Sequence, residues 1–462
     1  MRYRIEKDLL GQRQVPAEAY YGIETLRGKE NFEITKRGIC RQMIKALAIV
    51  KKAAAKANVD ALNIDEKVGK AIMLACDEIL NGRLHGQFVT DLIQGGAGTS
   101  MNMNANEVIA NRANELLGGK KGVYDFVHPN DHVNFGQSTN DVIQTAGKIA
   151  IVKQLKKLQV ELKKLYNAYL NKATEFKDVI KMGRTHLQEA LPLRLGQEFS
   201  AYASALNRDM KRIDVAIEAL LEVNMGATAI GTSLNANEKY RKKVIYYLNK
   251  FSGEQIKPAK DLIDATRNFD TFGQASSTLK LLALNLSKTA SDLRLMASSG
   301  SNGFSEITLP HVQPGSSIMP GKYNPVVPEM VNQVCFYVIG LDVTITKAIE
   351  AGQLELNVFG PIILMSLFEQ ITTLRRATRT FHNLAISGLI ANTTKYKTDN
   401  SIYLITALSP HLGHEEACNV VNEAISSEKT IKQVLLDHHI LSEEIINMVL
   451  DESNMTNPGI AL

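Results

Sequence analysis

The chain has 462 residues, of which 45% are hydrophobic and 22% charged, as is typical of a globular protein with more than one domain. A net charge of +5 without a long Lys or Arg block argues against a nucleic-acid partner. The four cysteines are scattered and no apolar run approaches about 18 residues, so we expect neither a disulfide framework nor a membrane span, and a cytoplasmic location.

Helical periodicity dominates the chain after a first part that is rich in Gly, Asn and short segments. From Asp141 to about Lys177, apolar residues recur at spacings of four and three, which indicates one long helix with a heptad seam. That seam consists of Ile151, Leu155, Leu158, Leu162, Leu165 and Tyr169. Further long helices are predicted over about 191–223, 261–298 and 328–386, the last with a kink near residue 360. Short helical pieces are predicted over 410–427, 430–438 and 442–450.

Helices of this length must bury their seams against one another, within the chain or across subunits. No alternation of strands and helices is visible, so we predict an all-α, mainly helical fold. The changes in composition predict an N-terminal domain (1–140), a central bundle of long helices (141–391) and a small C-terminal helical domain (392–462). An elongated and oligomeric bundle follows from the long apolar seams.

Two polar clusters precede predicted helices in the first third of the chain. The first, GGAGTSMNMNANE (95–107), is either a loop capped by Thr99 or Ser100, or an anion site at a helix N-terminus. The second, HPNDHVNFGQSTND (128–141), is either a solvated loop or a set of hydroxyl, amide and N–H donors at the start of the longest helix. His128 and His132 have the spacing of metal ligands, but no further ligand lies close in the sequence.

A third polar cluster, GRTHLQEALP (183–192), forms a predicted turn before a helix that begins near Pro192, and carries Thr185 and His186. The fourth is GSSIMPGKYNP (315–325). It fails as a phosphate loop, because five residues separate its glycines, Tyr323 replaces the required Ser or Thr, and no strand precedes it. It also lacks the G-x-S-x-G pattern of a hydrolase. Either a hinged, mobile loop or a rigid surface turn remains.

GSSIMPGKYNP resembles the signature of the aspartase/fumarase superfamily, and the other three clusters occur in that family's order. The resemblance extends from RIEKDLLG (4–11) to NMTNPGI near the end. It implies a three-domain, mostly helical subunit and a homotetramer built on a central bundle. Each active site would take residues from three subunits. One departure is SGSNG at 299–303, where the family usually carries SGPR.

Within the superfamily, four local stretches resemble aspartases more than class II fumarases. They are GGAGTS, HPNDH…QSTND, LLEVNMGATAIGT and the VVPE that follows the signature. The resemblance implies reversible deamination of L-aspartate to fumarate and ammonia through an enediolate, without a metal or organic cofactor. It also implies a link to the tricarboxylic acid cycle and no membrane partner.

The family's functional residues are carried over position by position. Ser316 would be the base that removes the Cβ proton, with Lys322 and His186 as further catalytic residues. Chemistry requires several donors on the substrate β-carboxylate, because the enediolate carries two negative charges. The implied substrate-binding residues are Thr99, Ser138, Thr139, Asn140, Thr185, Ser317, Lys322 and Asn324. A fumarate hydratase and a non-catalytic protein on the same fold remain as alternatives.

Overall fold

The computed structural model describes residues 2–299, 302–392 and 401–461, and these are mainly helical, which confirms the predicted fold class. The first four helices precede the longest one. They are α1 (Ile23–Asn31), α2 (Arg41–Asp60), α3 (Glu66–Leu80) and α4 (Thr99–Leu116). The middle of the chain contains α5 (Thr139–Glu175), α6 (Leu195–Leu220), α7 (Glu238–Ser252), α8 (Leu262–Arg267), α9 (Asp270–Met296), α10 (Val326–Glu350) and α11 (Gly360–Phe381). The last five are α12 (Ile405–Leu412), α13 (His414–Ser427), α14 (Ile431–Asp437), α15 (Glu443–Val449) and α16 (Glu452–Met455).

Eight short strands form four two-stranded sheets. They are β1 (Tyr3–Asp8) with β2 (Gly11–Pro16), β3 (Ile180–Thr185) with β4 (Gln188–Arg194), β5 (Glu222–Val223) with β6 (Lys257–Pro258), and β7 (Ile307–Thr308) with β8 (Ile390–Ala391). The β5–β6 pair is parallel, and the other three pairs are antiparallel. The sequence did not predict these pairs, because strands this short leave little periodicity.

The seam of α5 is buried as its spacing predicts. Ile151, Leu155 and Leu158 are at most 1% exposed, and so are Leu162, Leu165 and Tyr169. Two other predicted helices are broken. The pattern over 261–298 divides into α8 and α9 around Asn268, and the predicted kink near 360 is a complete break over 351–359. In that break, the Asn357 side chain donates to the carbonyls of Ala348 and Ile349 and so closes the end of α10.

The described residues group into two compact units. Unit 1 comprises 1–160, 209–284 and 334–376, and within it α2 packs against α3 and α7. Unit 2 comprises 161–208, 285–333 and 377–462, and its C-terminal helices share a buried cluster with Leu408, Val420 and Val434. The predicted three-domain division stays a prediction, and residues 393–400 beside its last boundary lie outside the described residues.

Among the described residues, α10 is the one helix that is long and apolar enough to cross a membrane. Its polar contacts are those of a helix packed in protein. The carboxylate of Asp342 is 3% exposed, accepts a hydrogen bond from Ser276 and pairs with Lys280, both on α9. We therefore interpret α10 as a bundle helix.

Candidate active site

The first polar cluster starts α4, but its cap differs from the prediction. Gly98, with φ of +96°, is the N-cap, and Thr99 is the first helical residue. A Cβ atom at Gly98 would lie 3.1 Å from Ile143 of α5, so glycine permits both the left-handed backbone and the close approach. The Thr99 hydroxyl donates to the carbonyl of Gly96 at 2.7 Å, and the residue is exposed.

The second cluster places its donors at the start of α5, as the sequence predicts. The Ser138 hydroxyl accepts from the amide of Asn140 at 3.2 Å, and the Asp141 carboxylate accepts from the amide of Ser138 at 3.0 Å. The two bonds form a reciprocal cap. Asn102 of α4 donates to the hydroxyl of Thr139 at 3.3 Å, so the first two clusters lie side by side in unit 1.

Asp141, which the sequence analysis did not select, connects this cluster to the segment that follows β5. It is fully buried, and its Oδ2 accepts from the amides of Gly226 and Thr228 at 3.1 and 3.0 Å. Burial raises the pKa of Asp141 to about 6, although the amide bonds and Lys51 oppose the shift. The segment 224–229 is thereby fixed beside the start of α5. The Asn140 side chain donates to the carbonyl of Ala229 at 2.6 Å.

Lys51 of α2 is a second buried group that the sequence analysis missed. Its Nζ donates to the side-chain oxygens of Asn134 and Gln137 at 2.7 and 3.0 Å. Burial lowers the pKa of Lys51 to about 7, and the negative charge of Asp141 opposes the shift. A signal was available, since Lys51 follows Leu47 by four residues on the apolar face of α2.

A cavity lies beside each half of the candidate site, with a volume of about 990 Å³ in unit 1 and about 290 Å³ in unit 2. The larger one lies in unit 1 and is lined in part by Gln137, Ser138, Thr139 and Thr228. Hydroxyl, amide and N–H donors face a common space there. Such a surface can bind a carboxylate.

His128 and His132 use ring nitrogens to hold a turn. The Nδ1 of His132 accepts from the amide of His128 at 2.8 Å, and the Nδ1 of His128 accepts from the amides of Asn130 and Asp131. Within 2–299, 302–392 and 401–461, no group of three or more His, Cys, Asp or Glu side chains has the arrangement of a metal site. The two histidines therefore have a structural explanation.

The third cluster is a β-hairpin, which corrects the predicted helix start near Pro192. Pro192 lies in β4 opposite Met182, and α6 begins only at Leu195. A two-residue turn, His186 and Leu187, joins the strands with φ values of +54° and +62°. This is the backbone of a tight hairpin turn, which normally takes Asn and Gly. It leaves Thr185 and His186 exposed at the tip.

A buried ionic network supports this hairpin within unit 2. Glu306, 2% exposed, pairs with Arg184 and with Lys181, whose Nζ lies 2.6 Å from its Oε2. Lys181 also pairs with Glu198 at 3.0 Å, and the Arg184 guanidinium lies 4.2 Å from the ring centre of Phe304. The network joins β3, which leads to Thr185 and His186, to the segment that precedes the signature loop. The spacing of these residues in the sequence did not predict that they form ion pairs.

The signature loop folds back on itself. The amide of Gly315 donates to the carbonyl of Lys322 at 2.8 Å, and the Asn324 side chain donates to the carbonyl of Gly315 at 2.7 Å. A Cβ atom at Gly315 would lie 2.4 Å from the Lys322 carbonyl oxygen, so only glycine permits this approach. Gly300 and Ser301, in the stretch that departs from the family's SGPR, lie outside the described residues.

Ser316 lies just inside this closed loop. Its Oγ accepts hydrogen bonds from the amides of Ile318 and Met319 at 3.2 and 3.1 Å. Two N–H donors aimed at one oxygen stabilise a negative charge on it. Ser317 and Lys322 are exposed on the same loop.

The candidate residues divide between the two units. Those of unit 1 are Thr99, Ser138, Thr139 and Asn140, and those of unit 2 are Thr185, His186, Ser316, Ser317, Lys322 and Asn324. The structure thus brings the first two clusters together and closes the signature loop, and it ties the hairpin of the third cluster to the segment before that loop.

Comparisons with known proteins agree over the whole chain. Residues 11–340 match the family model described as lyase, and residues 404–457 match that of the fumarase C C-terminus. The aspartate ammonia-lyase of Bacillus subtilis (strain 168) is 52% identical over 99% of this chain and 97% of its own. The solved fumarate lyase:delta crystallin from Brucella melitensis has a TM-score of 0.96 at 44% identity, covering 99% of this chain and 100% of its own. Class II fumarase from Schistosoma mansoni also has a TM-score of 0.96, at 34% identity and the same coverage.

Proposed function

The chain belongs to the lyase family, and from that membership we propose that it catalyses the reversible deamination of L-aspartate to fumarate and ammonia. It is a carbon–nitrogen lyase in this proposal. Curated relatives that match nearly their full length are aspartate ammonia-lyases at 45–52% identity, and they support aspartate as the substrate.

The reaction begins with loss of a weakly acidic proton from Cβ of aspartate. Its conjugate base is an enediolate that carries two negative charges on the former β-carboxylate. Thr99, Ser138 and Thr139, with the backbone at Ser317, provide donors for that group. Aligned donors stabilise the enediolate more than the substrate carboxylate, and so lower the barrier.

The other end of the substrate needs separate anchors. Lys322 and Asn324, with Thr185 nearby, bind the α-carboxylate in this proposal, and Asn140 and His186 contact the amino group. In the structure described above, the Asn324 side chain holds the Gly315 carbonyl. Because the Asn324 side-chain amide has two N–H donors, one can keep this bond while the other binds a carboxylate oxygen.

The base is Ser316, and the two amides at its Oγ carry this assignment. They lower the cost of forming the oxyanion, and the adjacent Lys322 adds a positive charge. The oxyanion takes the Cβ proton and becomes a hydroxyl. The electron pair of the C–H bond then forms the double bond of fumarate as the C–N bond breaks, and the protonated amino group of the substrate takes the C–N electron pair and leaves as neutral ammonia. This route uses protein groups alone.

The proposal includes a cytoplasmic homotetramer whose sites take residues from three subunits. An exposed apolar face on α10, with Phe336 at 63% and Val343 at 59% exposure, supports an interface there.

The decisive experiment measures fumarate absorbance with purified protein. We expect absorbance to rise with L-aspartate and not with L-malate. A rise with malate alone would replace the proposal by a fumarate hydratase, which the similarity to the Schistosoma mansoni enzyme keeps as the second candidate. No rise with either substrate would favour a non-catalytic protein on this fold.

Ser316→Ala tests the base. We expect kcat with aspartate to fall by about 10³-fold or more, because the substitution removes the group that accepts the proton. Ser317→Ala is the matched control, since its proposed contribution comes from the backbone. Equal and small losses in the two variants would contradict the assignment of Ser316.

A further inference from the structure

An aromatic side chain in the signature loop stacks on one that precedes the loop. The rings of His311 and Tyr323 stack with their centres 3.6 Å apart and their planes 5° from parallel. Both residues are exposed, and Tyr323 retains 49% of its accessible surface. Neither has a role in the mechanism described above. Eleven residues lie between them, and those residues include Ser316 and Lys322.

The same loop is tied a second time by its backbone. The Gly315 amide bonds to the Lys322 carbonyl, and the Asn324 side chain bonds to the Gly315 carbonyl. The aromatic stack joins His311, which precedes the loop, to Tyr323, which lies between Lys322 and Asn324 inside it. Together the two ties constrain residues 315–322 to a compact shape, in which Ser316 keeps its two amide donors.

Tyr323 also separates two substrate-anchoring residues. Its neighbours in sequence are Lys322 and Asn324, and all three line a cavity of about 290 Å³ that His311 borders as well. A second cavity, of about 510 Å³, is lined by the same three residues. Tyr323 therefore lies between the two residues that are proposed to bind the α-carboxylate.

We propose that His311 and Tyr323 form an aromatic clasp that positions Ser316 and Lys322 for the reaction. The expected effect on catalysis rests on the proposed function. The expected effect on the order of the loop rests on the stacking geometry alone. Neither ring touches the reacting atoms, so both are positioning residues. Loss of one aromatic pair lowers the equilibrium constant for loop closure by about 3- to 10-fold, since such pairs contribute that much to an equilibrium.

The kinetic test compares Tyr323→Ala, His311→Ala, the double variant and Tyr323→Phe. We expect each alanine variant to lower kcat with aspartate by about 3- to 10-fold while KM changes less than about twofold, because fewer molecules present the base correctly. Tyr323→Phe keeps the stack and should keep kcat. Val312→Ala, an exposed apolar truncation next to His311, is the matched control and should resemble the unaltered protein.

The double variant distinguishes a clasp from two independent contributions. It should be no slower than the slower single variant, because either substitution already removes the whole stack. Two outcomes would overturn the proposal. One is a kcat for Tyr323→Ala within twofold of the unaltered protein, and the other is a loss in the double variant equal to the product of the single losses.

Amide hydrogen exchange gives a readout that does not depend on activity. We expect faster exchange of the peptide spanning 315–324 in Tyr323→Ala and His311→Ala, and unchanged exchange in Tyr323→Phe. If the protein proves inactive on aspartate but shows this pattern, the proposed function fails and the clasp stands. If exchange is the same in all four proteins, the clasp is wrong whatever the activity.

Discussion

Ser316 would be an unusual base, because a serine hydroxyl is a very weak acid and, in the described part of the chain, the hydrogen bonds of its Oγ come from backbone amides and not from a histidine. The amides of Ile318 and Met319 supply an alternative, since both donate to its Oγ. These two bonds depend on the closed shape of residues 315–324. The basicity of Ser316 in this proposal therefore depends on the backbone of the whole loop.

Lys51 gives a residue-scale prediction about stability. In the folded protein burial holds its pKa near 7, whereas a lysine in the unfolded chain titrates near 10.5. Between these values the unfolded state binds the extra proton, so the free energy of unfolding rises with pH, by up to about 1.4 kcal/mol for each pH unit. We expect Lys51→Met to lack this rise in urea unfolding from pH 7 to 10.5.

Lys67→Met is the control for that measurement, because Lys67 is exposed at the start of α3. Its unfolding should keep the pH dependence of the unaltered protein. If Lys51→Met and Lys67→Met show the same pH dependence, the buried lysine does not titrate as described.

The turn of the β3–β4 hairpin has a strained backbone. Both turn residues, His186 and Leu187, have left-handed backbones, which cost non-glycine residues about 1 kcal/mol or more each. The strands hold the turn in register, and the ion pairs of Glu306 hold β3 in place. The strained turn is retained at His186, which the proposed function assigns to the substrate amino group.

Leu187→Gly tests this element. Leu187 is 63% exposed, so its side chain contributes little burial, and glycine removes the backbone strain. We expect the free energy of unfolding to increase by about 1 kcal/mol in urea titrations. Gln188→Gly, one residue later in β4, should lower it, since glycine weakens a strand. A loss of similar size in both variants would show that the turn is unstrained.

At the scale of the whole molecule, one face of α10 is apolar and exposed. Phe336, Gly340 and Val343 follow one another at spacings of four and three, so they share one side of the helix, and all three are exposed. A contiguous apolar surface of this kind is typical of a protein interface. It is the feature of the single chain that best supports the proposed tetramer.

The pair of substitutions Phe336→Glu and Val343→Glu tests that interface. Burying two carboxylates without partners is costly, so we expect the double variant to sediment as a smaller species than the unaltered protein, and to lose aspartate turnover if sites are shared. Leu62→Glu, on an exposed loop after α2, should change neither. An unaltered protein that sediments as a monomer would contradict the tetramer.

Much of the fold was predictable because helix periodicity is a local signal. The seam of α5 and the existence of α6, α9, α10 and α11 follow from spacings within each segment. The break near Asn268 was missed, and the break over 351–359 was predicted only as a kink, because apolar spacing does not reveal contacts such as those of Asn357 at the end of α10. The short strand pairs were missed because packing selects their partners.

The sequence by itself determined that the first two polar clusters precede helices and which family the chain resembles, since short motifs contain that information. Only the tertiary structure decided what lies behind those clusters. Lys51 meets Asn134, and Glu306 meets Lys181 and Arg184, over separations of roughly 80 to 125 residues. No local pattern specifies such pairs, because burial of a charge is tolerated only where packing brings a partner.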